Sequence, residues 1–322
     1  MNLVRALQEL SRPTPDLTER EAAHVLGALL DDGLPELEQG ALLALLEVRP
    51  LSLPLLAGFQ RALTERCYRI ASPPAGARPI ILAAHCEPVR QDPNLLPLLA
   101  LLLHRLGLTV LVHGSLEGAG VAGSAHVFRA LGIMPCASLA AAQRALDRER
   151  LAFVPTGVLA PGLARLAARR ARLGGGRLIH LLERLLDPYA GTGLSVVATG
   201  VGEDARLFAG FELMSGAHAL LLEGTDGEPF ASPQRRPVLE LVRDNTRERL
   251  FAAESAGVKG RTPGLETTSV ADWTRRALRG EVPLPLPLVN QVACCLYGAG
   301  CASDINQAKA IAALETGSLV PA

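Results

Sequence analysis

The segment Asn94–Gly132 constrains the fold of this chain more than any other stretch. Leu95–Leu103 is apolar apart from Pro97, and a helix that is apolar on every side is buried on every side. Asn94 can cap this helix, and a proline costs little in the first turn because that N–H has no helical partner. The segment therefore predicts a helix enclosed in the core of a sizeable domain.

A strand and a glycine-rich loop follow this helix. Gly107 ends the helix, Thr109–Val112 is a short β-branched strand, and Ser124 opens a second helix. This order is typical of a parallel sheet, whose ligands bind at the carboxyl ends of the strands. The candidate site residues there are His113, Gly114, Ser115 and Ser124. A histidine in such a place is more often a packed or loop residue than a catalyst.

The remainder of the chain divides at one clear change in composition. Residues 1–71 show helical patterns only, including a capping box that joins Thr18 to Glu21. Ser72–Gly76 is a proline-containing linker, and strands alternate with helices beyond it. Among these elements we predict strands over Pro79–Ala84 and Arg249–Ala253 and helices over Leu159–Leu173 and Glu203–Ser215. We predict an α/β fold with a mostly parallel central sheet in residues 72–322 and a smaller all-helical domain in residues 1–71.

The composition excludes several classes of protein. The 322 residues are 49% hydrophobic with a formal net charge of 0, which is typical of a globular protein without overall attraction to nucleic acid. We expect a cytoplasmic location, because the amphipathic start does not resemble a signal peptide and no apolar run reaches the roughly 20 residues that span a bilayer. The six cysteines form no CxxC pair and are interpreted as core residues rather than metal ligands or a redox pair.

Positive charge is concentrated in one part of the sequence. Residues 151–182 contain no Asp or Glu, but they contain Arg165, Arg169, Arg170, Arg172 and Arg177. These arginines either form a solvated face paired with acids from other segments or bind phosphate, which the planar guanidinium can hold through two hydrogen bonds at once. A second basic pair, Arg235 and Arg236, lies in the long loop Glu223–Pro237.

The same long loop carries two acids that bear on metal binding. Asp226 and Glu228 could hold Mg²⁺ near a pyrophosphate, or they could belong to a solvated turn, which is the commoner case. The sequence has no P-loop, GxGxxG, HExxH or GxSxG motif and no recognisable catalytic triad spacing. No residue is therefore assigned a catalytic role.

Several motifs together resemble the anthranilate phosphoribosyltransferase family, which is glycosyltransferase family 3 and has the nucleoside phosphorylase type of fold. LTEREA, GLPELEQGALLALL and LLAGFQRAL are similar to the family's N-terminal helices, and VLVHGSLEGAGVAGSAHVFRALGI is similar to its KHGN segment and serine loop. Arg170–Gly174 resembles its RxxLG motif, and Leu185–Pro188 resembles its PLxNP motif. The resemblance implies that residues 1–71 and helices near 160–190 join in one helical domain that forms a dimer interface.

The chain is more similar still to the YbiB-type subgroup of this family. The stretches PNLLPLLALLLHRLGLTVLVHG, EGTDGEPFASPQRRP and QVACCL carry that similarity, together with the placement of His180. The subgroup is regarded as dimers that bind nucleic acids without demonstrated activity in tryptophan synthesis. The resemblance therefore implies DNA or RNA as a partner and a homodimer as the assembly.

The chain departs from the family's enzymes at the phosphate-binding motifs. Ala84–Pro88 stands in place of GTGGD, whose glycine amides hold pyrophosphate. Only Asn94 remains of the Asn-Ile-Ser-Thr motif, KHGN has become Val112–Ser115, and the acidic metal pair is missing unless Asp226 and Glu228 replace it. We therefore expect no cofactor and no Mg²⁺, and we predict a vestigial phosphoribose and acceptor pocket. Its residues are His85, Asn94, His113, Gly114, Ser115, Ser124 and Arg170, the last matching the family's acceptor-binding arginine.

These observations lead to one preferred function and two alternatives. The preferred function is DNA or RNA binding without sequence specificity by a dimer, through Arg165, Arg169, Arg170, Arg172, Arg177, Arg235 and Arg236. The first alternative is a glycosyl or phosphoribosyl transferase of altered specificity. The second is a protein that uses the same arginines to bind an acidic protein. The aromatic content of 3% argues against base stacking as the main mode of binding.

Overall fold

The computed structural model describes residues 3–12, 17–73, 76–84, 91–116, 123–172, 176–199, 203–255 and 262–317. The helices are α1 (Leu3–Ser11), α2 (Glu19–Leu30), α3 (Glu36–Val48), α4 (Leu53–Thr64), α5 (Leu96–Arg105), α6 (Ser124–Ala130), α7 (Leu139–Glu149), α8 (Thr156–Leu159), α9 (Pro161–Ala171), α10 (Arg177–Arg184), α11 (Glu203–Ser215), α12 (Thr267–Leu278), α13 (Leu286–Gly298) and α14 (Ile305–Glu315). The strands are β1 (Ile80–Ala84), β2 (Val110–Gly114), β3 (Leu151–Pro155), β4 (Leu194–Thr199), β5 (Ala219–Glu223), β6 (Arg235–Arg236), β7 (Leu239–Arg243), β8 (Thr246–Phe251) and β9 (Glu254–Ser255). None of the helices in these ranges is long and apolar enough to cross a membrane.

A seven-stranded sheet organises the described part of the chain, in the order β3-β2-β1-β4-β5-β7-β8. The first five strands of this order are parallel, and β7 and β8 are added in antiparallel orientation. The predicted α/β class with a mostly parallel sheet is confirmed. Strand β8 starts at Thr246, earlier than the predicted Arg249, because its exposed charged residues hide it from a search for apolar runs.

The sheet separates apolar cores on its two faces. Alternate residues of β1 point in opposite directions, so Ile80 and Leu82 pack with α5, α13 and α14 while Ile81 packs with α7. A further core joins the side chains of α2, α3 and α4 to those of α9, α10 and α11. The helices near 160–190 thus pack against the N-terminal helices.

Local sequence signals explain most helix ends. Thr18 and Glu21 form the predicted capping box at α2, and the Leu96 N–H donates to Asn94 Oδ1 over 3.1 Å at the start of α5. The helix predicted over Leu159–Leu173 is observed as α9. It begins at Pro161 rather than at Leu159, because Pro161 disfavours helical backbone in the residue before it.

Candidate functional site

The candidate site lies at the carboxyl edge of the parallel strands, as the sequence predicts for ligands of such a sheet. Gly114 ends β2 at a point where a side chain cannot fit, since a Cβ there would lie 2.4 Å from the Ala84 carbonyl oxygen of β1. His113 is fully buried and Ser115 is exposed. His85 lies outside the described residues.

Three buried polar side chains meet at this edge. Asn94 Nδ2 donates to Ser124 Oγ over 2.9 Å, and the Ser124 hydroxyl donates to Glu228 Oε1 over 3.3 Å. Asn94 and Glu228 are 0% exposed and Ser124 is 2% exposed. The structure therefore brings the predicted Asn94 and Ser124 together, but their hydrogen-bonding groups are directed at each other and at Glu228.

The acidic loop next to this cluster is a tight turn that holds the backbone in place. Thr225 and Glu228 pair across the turn, and Asp226 has a left-handed φ of 49°. Asp226 Oδ2 accepts the backbone N–H groups of Gln91 and Asp92, each over 3.1 Å. The interpretation of these two acids as a solvated turn is therefore wrong for Glu228, which is buried. Asp226 does lie in a turn, but its Oδ2 accepts two backbone N–H groups.

A second buried polar cluster contains Glu183, which the sequence analysis did not single out. Thr156 Oγ1, just after β3, donates to Glu183 Oε1 of α10 over 3.1 Å. Glu183 is 4% exposed, and burial raises the pKa of its carboxyl group while the charges of His113 and His180 oppose that shift. The sequence did contain one signal for this burial, because Glu183 lies one helical turn after Ile179 on the apolar face of α10.

Arginine side chains of α9 and α10 contact α2 and α3. Arg169 forms an ion pair with Asp32, with 2.9 Å between Nη2 and Oδ2, and this contact lowers the pKa of Asp32. Arg165 donates to the Leu30 carbonyl at the end of α2 over 3.2 Å. The alternative of pairing with acids from other segments is therefore realised for Arg169.

Arg172 and Arg177 follow in the chain, and both are exposed. Arg172 makes no side-chain hydrogen bond or ion pair within the described ranges. Arg177 donates to the backbone carbonyls of Glu47 and Arg49 over 3.3 and 2.7 Å. Arg170 belongs to α9, but its side chain lies outside the described residues.

The N-terminus of α10 is also occupied by the chain itself. Glu47 Oε1 accepts the N–H of Arg177 over 3.0 Å, and Glu47 Oε2 accepts the N–H of Leu178 over 3.1 Å. A helix N-terminus with free amides is a ready site for an anion. Here the carboxylate of Glu47 fills that site.

The second basic pair lies away from these arginines in sequence and is paired with acids. Arg235 contacts Glu223 and Arg236 contacts Glu254, each over 2.5 Å. The Arg236 guanidinium also lies 5.0 Å from the centre of the Phe251 ring. These pairings reduce the net positive charge that the two residues present.

The fold and these motifs define a class of protein: the chain belongs to the family of anthranilate phosphoribosyltransferase-like proteins. It is 32% identical over 297 residues to the uncharacterized protein YbiB of Escherichia coli strain K12, with 92% of each chain covered. It is 26% identical over 246 residues to the anthranilate phosphoribosyltransferase of Geobacillus stearothermophilus, covering 76% of this chain and 71% of that one. The predicted family resemblance is confirmed, although no protein-family model matches the chain.

Solved structures show the same fold. The anthranilate phosphoribosyltransferase of Thermus thermophilus matches with a TM-score of 0.78 and 23% identity, covering 99% of this chain and 95% of that one. The Saccharomyces cerevisiae enzyme in complex with PRPP and Mg matches with a TM-score of 0.77 and 14% identity, covering 98% and 93%.

The two acids that could replace the family's metal pair, Asp226 and Glu228, are engaged by other groups of this chain. A Mg²⁺ ion at a phosphate site keeps several waters and needs accessible carboxylate oxygens. Glu228 is fully buried beside Ser124, and Asp226 Oδ2 already accepts two backbone N–H groups. Among the described residues, no group of three or more His, Cys, Asp or Glu could hold a metal ion.

Proposed function

We propose that this chain is a homodimeric protein that binds DNA or RNA through phosphate contacts, without sequence specificity, cofactor or anthranilate phosphoribosyltransferase activity. The observation that carries the proposal is the exposure of Arg165, Arg172 and Arg177 in a stretch that contains no acidic residue between positions 151 and 182. We name these three residues, together with Arg169, the arginine cluster.

The guanidinium groups of this cluster keep hydrogen-bond donors to spare. A guanidinium has five N–H donors, and the side chain of Arg165 uses one of them within the described ranges. Arg172 uses none there, and Arg177 donates only to backbone carbonyls. These groups can therefore meet phosphate oxygens without first breaking a strong ion pair.

Arg169 has a supporting role in this proposal. Its charge is balanced by Asp32, so it adds little to the attraction for phosphate. Gln39 of α3 also accepts a hydrogen bond from Arg169. Arg169 thereby fixes α9 against α2 and α3, which sets the positions of the neighbouring arginines.

An apolar stripe on α3 supports the homodimer. Leu37 is 83% exposed and Val48 is 75% exposed, and Ala41 and Ala44 lie between them at helical spacing. The opposite side of α3 is buried through Leu42, Leu43 and Leu46. Because α3 is apolar on both sides, a second copy of the chain is the partner of our proposal.

Dimerisation through α3 would place two arginine clusters in one particle. Arg169 contacts Gln39 near the start of α3, and Arg177 contacts Glu47 near its end. Both arginines thus contact α3, Arg169 through Gln39 on the buried side of that helix, and a symmetric interface repeats every contact on each copy. Two linked phosphate-binding patches bind a long polyanion more tightly than one patch does.

The contacts at the sheet edge support the proposed loss of transferase activity. Asn94, Ser124 and Glu228 are buried and bonded to one another, and Asp226 anchors the backbone instead of facing a metal. A buried carboxylate beside the phosphate site would repel a diphosphate, and each lost charge-assisted contact costs about 1.5–3 kcal/mol. A transferase of altered specificity is the alternative, and calorimetric titration with PRPP and Mg²⁺ separates it from this proposal.

The test is the charge reversal Arg165→Glu/Arg172→Glu, measured by fluorescence anisotropy with labelled DNA and RNA of mixed sequence. We expect the double variant to lose at least about 100-fold in affinity at low salt, because each reversal removes one cation and adds one anion near the phosphates. The wild-type affinity should fall linearly with salt on logarithmic axes.

The matched control is Arg144→Glu/Arg148→Glu on α7, which changes the net charge equally. Both arginines are exposed, and neither borders α3 among the described contacts. We expect this control to bind within about threefold of the wild type. Equal losses in the two variants would show a general effect of net charge and would contradict the proposed site.

A further inference from the structure

Strand β8 forms one edge of the seven-stranded sheet, and β7 is its only neighbour among the described strands. The first four residues of β8, Thr246–Arg249, are exposed. A strand at the edge of a sheet has backbone N–H and C=O groups that point away from the sheet. The open side of β8 is therefore a surface on which a further strand can pair.

The turn between β7 and β8 decides which backbone groups point outward. Asp244 and Asn245 both have left-handed φ angles, of 48° and 56°, which is typical of a two-residue type I′ turn. The residues on either side of this turn are partners in the ladder and form its first hydrogen-bonded pair. Because hydrogen-bonded and non-hydrogen-bonded pairs alternate along an antiparallel ladder, the N–H and C=O groups of Arg247 and Arg249 point away from β7.

The side chains of the same two arginines are held by a buried acid of β7. Glu240 is 8% exposed and lies opposite Arg249 in the ladder. Arg247 Nε donates to Glu240 Oε2 over 2.9 Å, and Arg249 Nε donates to Glu240 Oε1 over 3.2 Å. Two guanidinium groups thus share one carboxylate, which leaves one positive charge in excess and several N–H donors free for another partner.

The opposite face of β8 carries an acid between the two arginines. Glu248 Oε2 lies 3.6 Å from Arg243 Nη2 and accepts the Tyr297 hydroxyl over 3.3 Å. Opposite charges on directly paired residues stabilise a pair of strands, and like charges destabilise it. A second copy of β8 is therefore a poor partner, because antiparallel pairing through the outward N–H groups sets arginine against arginine.

We propose that β8 is a docking site for an extended segment of another protein, which adds to the sheet as an eighth strand and has acidic residues opposite Arg247 and Arg249. The outward N–H and C=O groups of these arginines hold the backbone of the segment, and their guanidinium groups select its carboxylates. Nucleic acid fits this edge less well, because the outward carbonyl oxygens repel phosphate. This inference does not rest on nucleic-acid binding or on the α3 interface.

The test is amide hydrogen exchange of the wild-type protein, measured for single residues by NMR, with and without a seven-residue peptide that has blocked ends. The peptide consists of threonine and valine, with glutamate at positions three and five. We expect the amides of Arg247 and Arg249 to exchange at least about tenfold more slowly with saturating peptide, because each then donates to a peptide carbonyl. The amides of Thr246 and Glu248 donate to β7 and serve as the internal reference.

The control peptide has lysine in place of both glutamates. We expect it to bind at least about tenfold more weakly, because two attractive pairs become repulsive. Equal protection by the two peptides, or protection by neither, would overturn the proposal. Protection of these amides by an oligonucleotide of mixed sequence, and not by the acidic peptide, would also overturn it and would make β8 a nucleic-acid contact.

Arg249→Pro and Glu248→Pro form a matched pair of variants. Proline at position 249 removes an N–H that points outward, whereas proline at position 248 removes one that donates to β7. We expect Arg249→Pro to bind the acidic peptide at least about tenfold more weakly than the wild type does, and to melt at a higher temperature than Glu248→Pro. An unchanged affinity in folded Arg249→Pro would contradict the proposal, and the two peptides decide the question on the wild type if the variant does not fold.

Discussion

The carboxyl edge of the sheet and the arginine cluster are both rich in polar groups, but they use those groups differently. At the sheet edge, Asn94, Ser124 and Glu228 are buried and satisfy one another. In the arginine cluster, Arg165 and Arg172 are exposed and keep most of their donors for other partners. A related fold can therefore retain polar residues at the sheet edge whose hydrogen bonds are made within the chain.

The same contrast separates the acids of the two regions. Acids at the sheet edge accept backbone amides or a hydroxyl, as Asp226 and Glu228 do. In the arginine region Glu47 also accepts backbone amides, but Asp32 forms an exposed ion pair with Arg169. Exposed ion pairs contribute little to stability, so this pair can exchange its partner for phosphate at low cost. The buried hydrogen bond between Ser124 and Glu228 cannot be exchanged so easily.

The largest effect is expected at the dimer interface that we propose on the apolar stripe of α3. We predict that Leu37→Asp/Val48→Asp weakens dimerisation by at least about a thousandfold, because two interface positions are lost on each of the two copies and the four together contribute at least about 4 kcal/mol. Analytical ultracentrifugation across a concentration series measures this change. Nucleic-acid affinity should fall with it, since each monomer keeps only one arginine cluster.

The control for this variant is Leu286→Asp/Leu314→Asp. These residues are 62% and 67% exposed and lie on α13 and α14 rather than on α3. We expect the sedimentation behaviour of the control to match that of the wild type. If both double variants dissociate alike, or neither does, the assignment of the α3 stripe to the dimer interface is wrong.

A smaller effect is expected at Glu212, a buried carboxylate with no described cationic partner. Burial raises its pKa from 4.5 to about 7, so the folded state binds its proton more tightly than the unfolded state does. The wild type should therefore lose stability as the pH rises from about 4.5 to about 7, by up to about 3 kcal/mol. Glu212→Gln carries no charge and should not show this loss.

Urea denaturation at pH 4.5 and pH 8 measures the difference. The free energy of unfolding of Glu212→Gln minus that of the wild type should be more positive at pH 8 than at pH 4.5. The Glu183→Gln variant should show a weaker pH dependence of this kind, because His113 and His180 oppose the effect of burial on the native carboxyl group. If the difference in stability between Glu212→Gln and the wild type were the same at both pH values, the raised pKa assigned to Glu212 would be contradicted.

The smallest effect is expected at the exposed ion pair. Asp32→Asn keeps a residue that tolerates the left-handed φ of 60° at this position, and it releases the charge of Arg169. We predict that nucleic-acid affinity rises by about two- to threefold at low salt while stability hardly changes, because the ion pair is exposed to solvent. An unchanged or lower affinity would show that Arg169 takes no part in phosphate binding.

Much of the fold could be predicted from residue patterns. Helix α11 begins and ends as predicted, the capping box of Thr18 is present, and β1 follows the apolar run after Pro79. These features depend on neighbours within one or two turns, so the sequence contains the necessary information. The charged edge strand β8 could not be recognised from such local patterns, because its pairing with β7 is what makes it a strand.

The candidate site could be predicted only in part. Asn94 and Ser124 were identified from their positions at strand and helix ends, and they do lie together. The pairing of Arg169 with Asp32 joins residues 137 positions apart, and no local pattern indicates it. The burial of Glu183 was also missed, because a single acid on an amphipathic helix is normally exposed.

The central claim is that the sheet edge has lost its diphosphate site while the arginine cluster remains open to phosphate. Calorimetric titration of the wild type with PRPP and Mg²⁺ tests this claim most directly. We expect no saturable heat of binding at micromolar PRPP, because the sheet edge has no diphosphate site in our proposal. Saturable heat that persists in Arg165→Glu/Arg172→Glu would show an intact diphosphate site and would contradict the account.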